Sequence, residues 1–245
     1  MSSQMDEMTR RLGGLSPVAI PPIPANPVLA AGTSAHDEID EQAPLVILEA
    51  DRRVVVRPHY YLKSVVGATP VIRVREPVVA RLRKAASLIP DGFAIAVLDG
   101  WRADATQRAV YERICEAARE AGEQNPSAFA FDLDRRGALM GYPTRDAPHR
   151  TGGAVDVALL GPDGRDWEMG TEFDAVSKRS AMRALEQEDS PADLAALIGR
   201  RVLYHAMAAA GFTNYPGEWW HFDYGNAFWR YYGRLPSGNV FQTLG

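Results

Sequence analysis

The chain has 245 residues, 46% of them hydrophobic and 24% charged, enough for one sizeable core or at most two small domains. A net charge of −4 gives no electrostatic case for nucleic acid or an anionic membrane as partner, and no apolar run approaches a membrane span. The single cysteine, Cys115, excludes an intramolecular disulfide and falls in a helical pattern, where it reads as a small packed residue.

Residues 1–44 read as an arm. The opening MSSQMDEMTRRLGG is charged and lacks the apolar stretch of a secretory signal, so a cytoplasmic location is expected. Pro17, Pro21, Pro22, Pro24 and Pro27 then predict extended, polyproline-like chain, partly disordered or lying on the domain. Regular patterns begin at residue 45, so the domain is expected over 45–245. LVILEA and RVVVRP, on either side of Asp51, read as strands and suggest a hairpin. Residues 76–89 carry Val78, Leu82, Ala85, Ala86 and Ile89 at helical spacing, and FAIAVLDG (93–100) reads as a buried strand. Asp104 and Gln107 suggest a capping box for a helix over 105–121. Residues 122–148 show little order.

GAVDVALL (153–160), the GPDG turn and RDWEM suggest a further hairpin. A helix over about 191–210 carries Leu194, Leu197, Ile198, Val202, Ala206 and Ala209, and Gly211 stops it. EWWHFDY reads as a strand and NAFWRYY as a short closing helix. Helices and short strands are interspersed without regular βαβ alternation. The expected fold class is therefore α+β, a single domain with a mixed or antiparallel sheet flanked by helices.

Two segments carry the chemistry, APHRTGGAVD (147–156) and GEWWH (217–221). His149, Asp156 and His221 can supply three metal ligands and leave a fourth position open for water. Glu218 lies close enough in sequence to act as general base on that water. His149 and Asp156 would face opposite sides of one continuous strand, but Gly152 and Gly153 let the chain turn between them. Pro216-Gly217 likewise puts Glu218 at a turn and His221 in the strand, with Trp219 and Trp220 flanking the site. Taken singly, each residue has an ordinary reading as surface histidine, buried hydrogen-bond partner or solvated turn. His36, His59 and His205 have no motif around them and read as packed or surface histidines.

H-x-x-G-x-A-x-D followed by E-W-W-H resembles the zinc D-alanyl-D-alanine dipeptidases of the vancomycin-resistance type. DGWR (99–102), MGTEFD (169–174) and RRVLYHAMAAAGFTNY (200–215) extend the likeness over roughly residues 45–235. The resemblance implies the compact fold shared by zinc D,D-peptidases and hedgehog domains. It implies one Zn²⁺ per chain on His149, Asp156 and His221, with Glu218 as general base and acid and Arg102 stabilising the transition state. D-Ala-D-Ala is the substrate it implies, in cell-wall peptidoglycan chemistry. The alternatives are a D,D-carboxypeptidase or amidase on longer peptidoglycan peptides, or a zinc-binding module without catalysis. The oligomeric state is open. Ala147 stands where the family has serine, Trp101 replaces a tyrosine, and Ala103 a proline. Glu172 and Asp174 read equally as partners of a substrate ammonium or as a solvated turn.

Overall fold

The computed structural model describes residues 20–25, 39–122, 124–125, 147–186, 192–235 and 238–244. The first two β-branched runs do not pair with each other. Strand β1 (Leu45–Ile47) pairs antiparallel with β3 (Arg73–Arg75), whereas β2 (Val54–Val56) joins the main sheet parallel to β4 (Ala94–Asp99). Asp51 turns the chain between them by accepting hydrogen bonds on its side chain from Arg53 N (2.7 Å) and Val54 N (2.8 Å). The expected hairpin is thus replaced by two strands in separate sheets. The one-turn α1 (His59–Leu62) leads to β3 and then to α2 (Glu76–Leu88), which ends where sequence periodicity ends.

The main sheet has the order β2-β4-β5-β7-β6, where β5 is Ala154–Leu160, β6 Thr213–Asn214 and β7 His221–Asp223. Only β2 and β4 are parallel, which makes the sheet mixed and the fold α+β. Residues paired directly across antiparallel strands share a face. Val97 lies opposite Val157 and Val155 opposite Phe222. All four are buried in the main core, together with Val78 and Leu82 of α2 and Ile198, Leu203 and Met207 of α4 (Leu194–Ala209). α3 (Asp104–Glu120) lies between β4 and β5 in sequence, and α5 (Ala227–Gly233) closes the domain. No helix among the described residues is long and apolar enough to cross a membrane.

The D-x-x-Q capping box does not form. α3 begins at Asp104 with Ala103 as N-cap and no side-chain cap bond. Asp104 instead pairs with Arg150, and the Gln107 side chain accepts from Arg102 (3.4 Å), so both residues serve tertiary contacts. After β5 the expected hairpin is reduced to a single bridge, Leu160 to Asp166. Asn226 does cap its helix, its side chain accepting from Trp229 N (2.9 Å).

Part of the arm packs on the domain. Ile23 is buried in the core; its N–H donates to Glu186 (2.9 Å), and its carbonyl accepts from Arg183 (3.0 Å). Ile39 and Ala43 join the same core. We propose that 45–245 remains a folding unit without these contacts. Deleting residues 1–44 is expected to leave one cooperative melt, lowered by the lost burial of two isoleucines. That isoleucine burial alone is worth about 4 kcal/mol, roughly ten degrees in Tm for a domain of this size, and the Ala43 carbonyl that accepts from buried Arg75 is lost with it. Calorimetry of the truncated chain checks this, and a non-cooperative melt would move the domain boundary into the arm.

Candidate metal centre

The site is built on the sheet face opposite the main core. Asp156 on β5 pairs directly with His221 on β7 on one side and with Asp99 on β4 on the other. An unbroken register would oppose Asp99 to Val155, on the apolar face. A bulge between Val97 and Asp99 slips the ladder by one residue and brings Asp99 round to Asp156. His149 arrives from outside the sheet, on the 3₁₀ turn Pro148–Thr151. Gly152 ends that turn at φ 75°, a conformation glycine takes without a Cβ clash. A side chain at Gly153 would run into the Tyr224 carbonyl, so β5 can approach β7 only with glycine there.

His149 Nε2, Asp156 Oδ1 and His221 Nδ1 form a nearly equilateral triangle. Its edges are 3.2 Å between the two nitrogens, 3.3 Å from Asp156 to His149 and 3.1 Å from Asp156 to His221. All three residues are buried, and among the described residues they form the one such group able to hold a metal ion. The far atom of each is also engaged. His149 Nδ1 is 2.7 Å from the Gly100 carbonyl, which can only accept. His221 Nε2 is 3.1 Å from Asp223 Oδ2, and Asp156 Oδ2 accepts from Arg102 (2.9 Å). Each imidazole in its neutral form therefore donates outward and points a lone pair inward. Two nitrogen lone pairs and a carboxylate oxygen then face one point with no donor among them. That arrangement calls for a cation.

The electrostatics agree. Burial disfavours charge on Asp156, but His149, His221 and Arg102 outweigh it and hold the carboxyl well below its usual range. Burial also opposes a protonated His221, but Asp223 and Asp156 overcome it and push that imidazole well above its usual value. In the absence of a metal the triangle thus retains a proton.

Arg102 lies beside the triangle. It pairs with Asp99 through Nε and with Asp156 through Nη2, and its guanidinium sits over the Tyr60 ring (4.8 Å). Burial opposes its charge, yet Tyr60, Asp99 and Asp156 together push its pKa further up, so it stays protonated. Glu218 is half-buried at the turn before β7, its N–H donating to the Tyr215 carbonyl (3.2 Å). Burial raises its carboxyl to about 8. Trp219 and Trp220 are both buried; Trp219 donates to Thr171 (2.9 Å), and Trp220 stacks edgewise on Phe173 (5.4 Å between centroids).

The MGTEFD segment divides. Glu172 is exposed, whereas Asp174, at φ 61°, accepts from the Tyr60 hydroxyl (2.7 Å). Burial and the Asp156 charge raise Asp174 to about 7. Buried Arg200 holds this loop by donating to the carbonyls of Met169, Arg179 and Ala181 (2.7–2.8 Å). Sequence reasoning missed Asp223 and Tyr60. Asp223 had a signal, because His-x-Asp on one strand puts both side chains on one face; Tyr60 had none. Of the remaining histidines, His59 packs on Phe173 (4.7 Å between centroids), His205 meets the Pro21 carbonyl (2.8 Å), and His36 lies outside the described residues.

A family model for M15 peptidases, described as D-Ala-D-Ala dipeptidase, matches residues 63–237. The chain is 27% identical to a D-alanyl-D-alanine dipeptidase of Synechocystis sp. over 207 residues, 76% of this chain and 83% of that protein. D-alanyl-D-alanine dipeptidases of Enterococcus faecium and Enterococcus faecalis are 29% and 27% identical over 133 residues, 54% of this chain and 62% of each relative. The family match spans most of the chain and encloses the whole triangle, Arg102 and Glu218, and the chain belongs to the D-Ala-D-Ala dipeptidase family of M15 metallopeptidases.

Proposed function

We propose that the chain hydrolyses D-alanyl-D-alanine or a closely similar dipeptide, using one zinc ion held by His149, Asp156 and His221. The observation that carries this reading is the triangle of inward-facing donor atoms. Zinc takes nitrogen and carboxylate ligands at about 2.0–2.1 Å, so two ligands of a tetrahedral ion stand about 3.3 Å apart. The 3.1–3.3 Å edges fit that spacing, and three protein ligands leave a position for substrate or water. Bound there, zinc supplies Lewis acidity, polarising the scissile carbonyl and acidifying a water.

The protein's own groups do the rest. Glu218 accepts the proton of the attacking water and delivers it to the departing amine. Its pKa of about 8 is high for a base, and a nearby dication draws it down towards the working pH. Arg102, locked by Asp99 and Asp156, keeps its Nη1 on a long 3.4 Å contact with Gln107, and that end can turn to the developing oxyanion. Trp219 and Trp220 exclude water from the site. Asp174 receives the substrate ammonium. Asp99, Asp156 and Asp174 all act on the one Arg102 guanidinium, and Asp174, held by the Tyr60 hydroxyl, offers a carboxyl to a free amino end. That recognition distinguishes a dipeptidase from a carboxypeptidase or amidase on longer peptides.

Chelation should abolish activity and Zn²⁺ restore it, and the effect of metal on stability should grow with pH. Asp174 (about 7, against 3.8) and Glu218 (about 8, against 4.5) hold protons in the folded form that the unfolded chain has released. His221, raised above 6.5, contributes stability that is lost as pH rises through its folded value. All three make the metal-free protein less stable as pH climbs from 5 to 8, while metal binding gains by releasing the retained proton. Calorimetry with and without chelator should show a Tm gap that widens over this range; a constant gap would contradict the scheme.

Glu218→Ala is expected to keep zinc and lose most turnover, whereas Arg102→Ala should lower kcat more than it raises KM, on the order of 10²–10³-fold. His149→Ala, Asp156→Ala and His221→Ala should lose the metal itself. Steady-state kinetics with metal analysis decides, and near wild-type kcat in Glu218→Ala would remove it as the base.

Asp174→Asn should raise KM for D-Ala-D-Ala roughly 10- to 100-fold, the worth of a hydrogen bond to a charged group. N-acetyl-D-Ala-D-Ala should be a poor substrate for both forms. Equal hydrolysis of the free and acetylated dipeptides by the wild type would favour the carboxypeptidase reading.

A further inference from the structure

The family match ends at residue 237, yet the chain returns to the metal centre after it. Segment 238–244 runs back along the turn that carries His149. Leu244 N donates to the Arg150 carbonyl (3.0 Å), and Arg150 donates through Nη2 to the Leu244 carbonyl (2.9 Å), a reciprocal pair. The same Nη2 is paired with Asp104 at the start of α3. One residue on, Arg75 links the turn to the tail a second time: its Nε donates to the Thr151 carbonyl (2.8 Å) and its Nη2 to the Gln242 carbonyl (2.8 Å). Phe241 anchors the strap. Its ring is buried, lies beneath the Arg75 guanidinium (5.4 Å) and fills the space where a side chain at Gly153 would stand, while its N–H donates to the Gly225 carbonyl (2.7 Å).

His149 sits at the centre of these contacts without touching the tail. Its carbonyl accepts from Arg102 N and Gly152 N (both 3.2 Å), so its neighbours set its position. A 3₁₀ turn of four residues has little internal rigidity. The turn's place relative to β5 and β7 is therefore fixed from outside, by Arg75, Asp104 and the tail.

We propose that residues 238–244 form a positioning strap for the metal centre: they clamp the turn bearing His149, and their loss weakens metal binding and slows hydrolysis while the fold persists. This rests on the reading of His149 as a ligand. The test compares the full chain with chains ending at residue 237 and at residue 241, the latter keeping the Phe241 anchor and losing the clamping contacts of Gln242 and Leu244. Zinc affinity is measured by chelator competition and fold by circular dichroism and melting of the metal-free forms. The expected result is a loss of zinc affinity on the order of tenfold in both truncated chains, as for groups that orient ligands indirectly. The metal-free chain ending at 241 should melt close to the full chain. A synthetic peptide spanning 238–245, added in trans to the chain ending at 237, should recover part of the affinity. Unchanged affinity in the chain ending at 241, with the full chain binding zinc, overturns the strap. Failure of the full chain to bind zinc overturns the ligand reading instead.

Discussion

Everything in the site depends on one electrostatic constraint: three lone pairs aimed at one buried point have to be reconciled by a positive charge. Burying such a cluster without a cation is costly, because each acceptor is stripped of water and faces another acceptor. The protein accepts that cost by fixing the outer side of every donor, through the Gly100 carbonyl, Asp223 and Arg102. None of the three can then swing away to find a donor of its own. The apolar face beneath, with Val155, Val157 and Phe222, keeps the strands from sliding. Packing on one face thus holds three donor atoms together on the other, in a group that could hold a metal ion.

The charges beyond the triangle form a graded set. Asp156 is held ionised by its neighbours, whereas Asp174 and Glu218, with burial dominant, are lifted towards neutrality. Carboxylates with divergent proton affinities let one site contain both a permanent charge and groups that exchange protons near physiological pH. Arg102 joins the two kinds, since it touches the ionised Asp156 and the Tyr60 that donates to Asp174.

Much of this was legible in the residues. The helices over 76–88 and 194–209 follow from apolar spacing, and the glycine turn between His149 and Asp156 follows from the parity of a strand. What local pattern could not reveal was pairing. LVILEA and RVVVRP are strands but not partners, because a turn signal at Asp51 says nothing about which sheet each run joins. Gln107 had the spacing of a helix cap, yet the Arg102 guanidinium supplied a competing donor from the preceding loop. The bulge that turns Asp99 towards Asp156 leaves no mark in the sequence, and Tyr60 reaches the site from a distant one-turn helix.

The cross-strand row Asp99–Asp156–His221 also governs where the gene can lengthen. Side chains on a strand alternate faces, so one extra residue between Gly153 and Asp156 would carry the carboxylate to the apolar side and lift a valine into its place in the row. The exposed 162–166 turn lies beyond the row, where added residues only extend a loop. Insertions should accumulate in that turn among natural variants and be purged between Gly153 and Asp156, whatever their effect on stability.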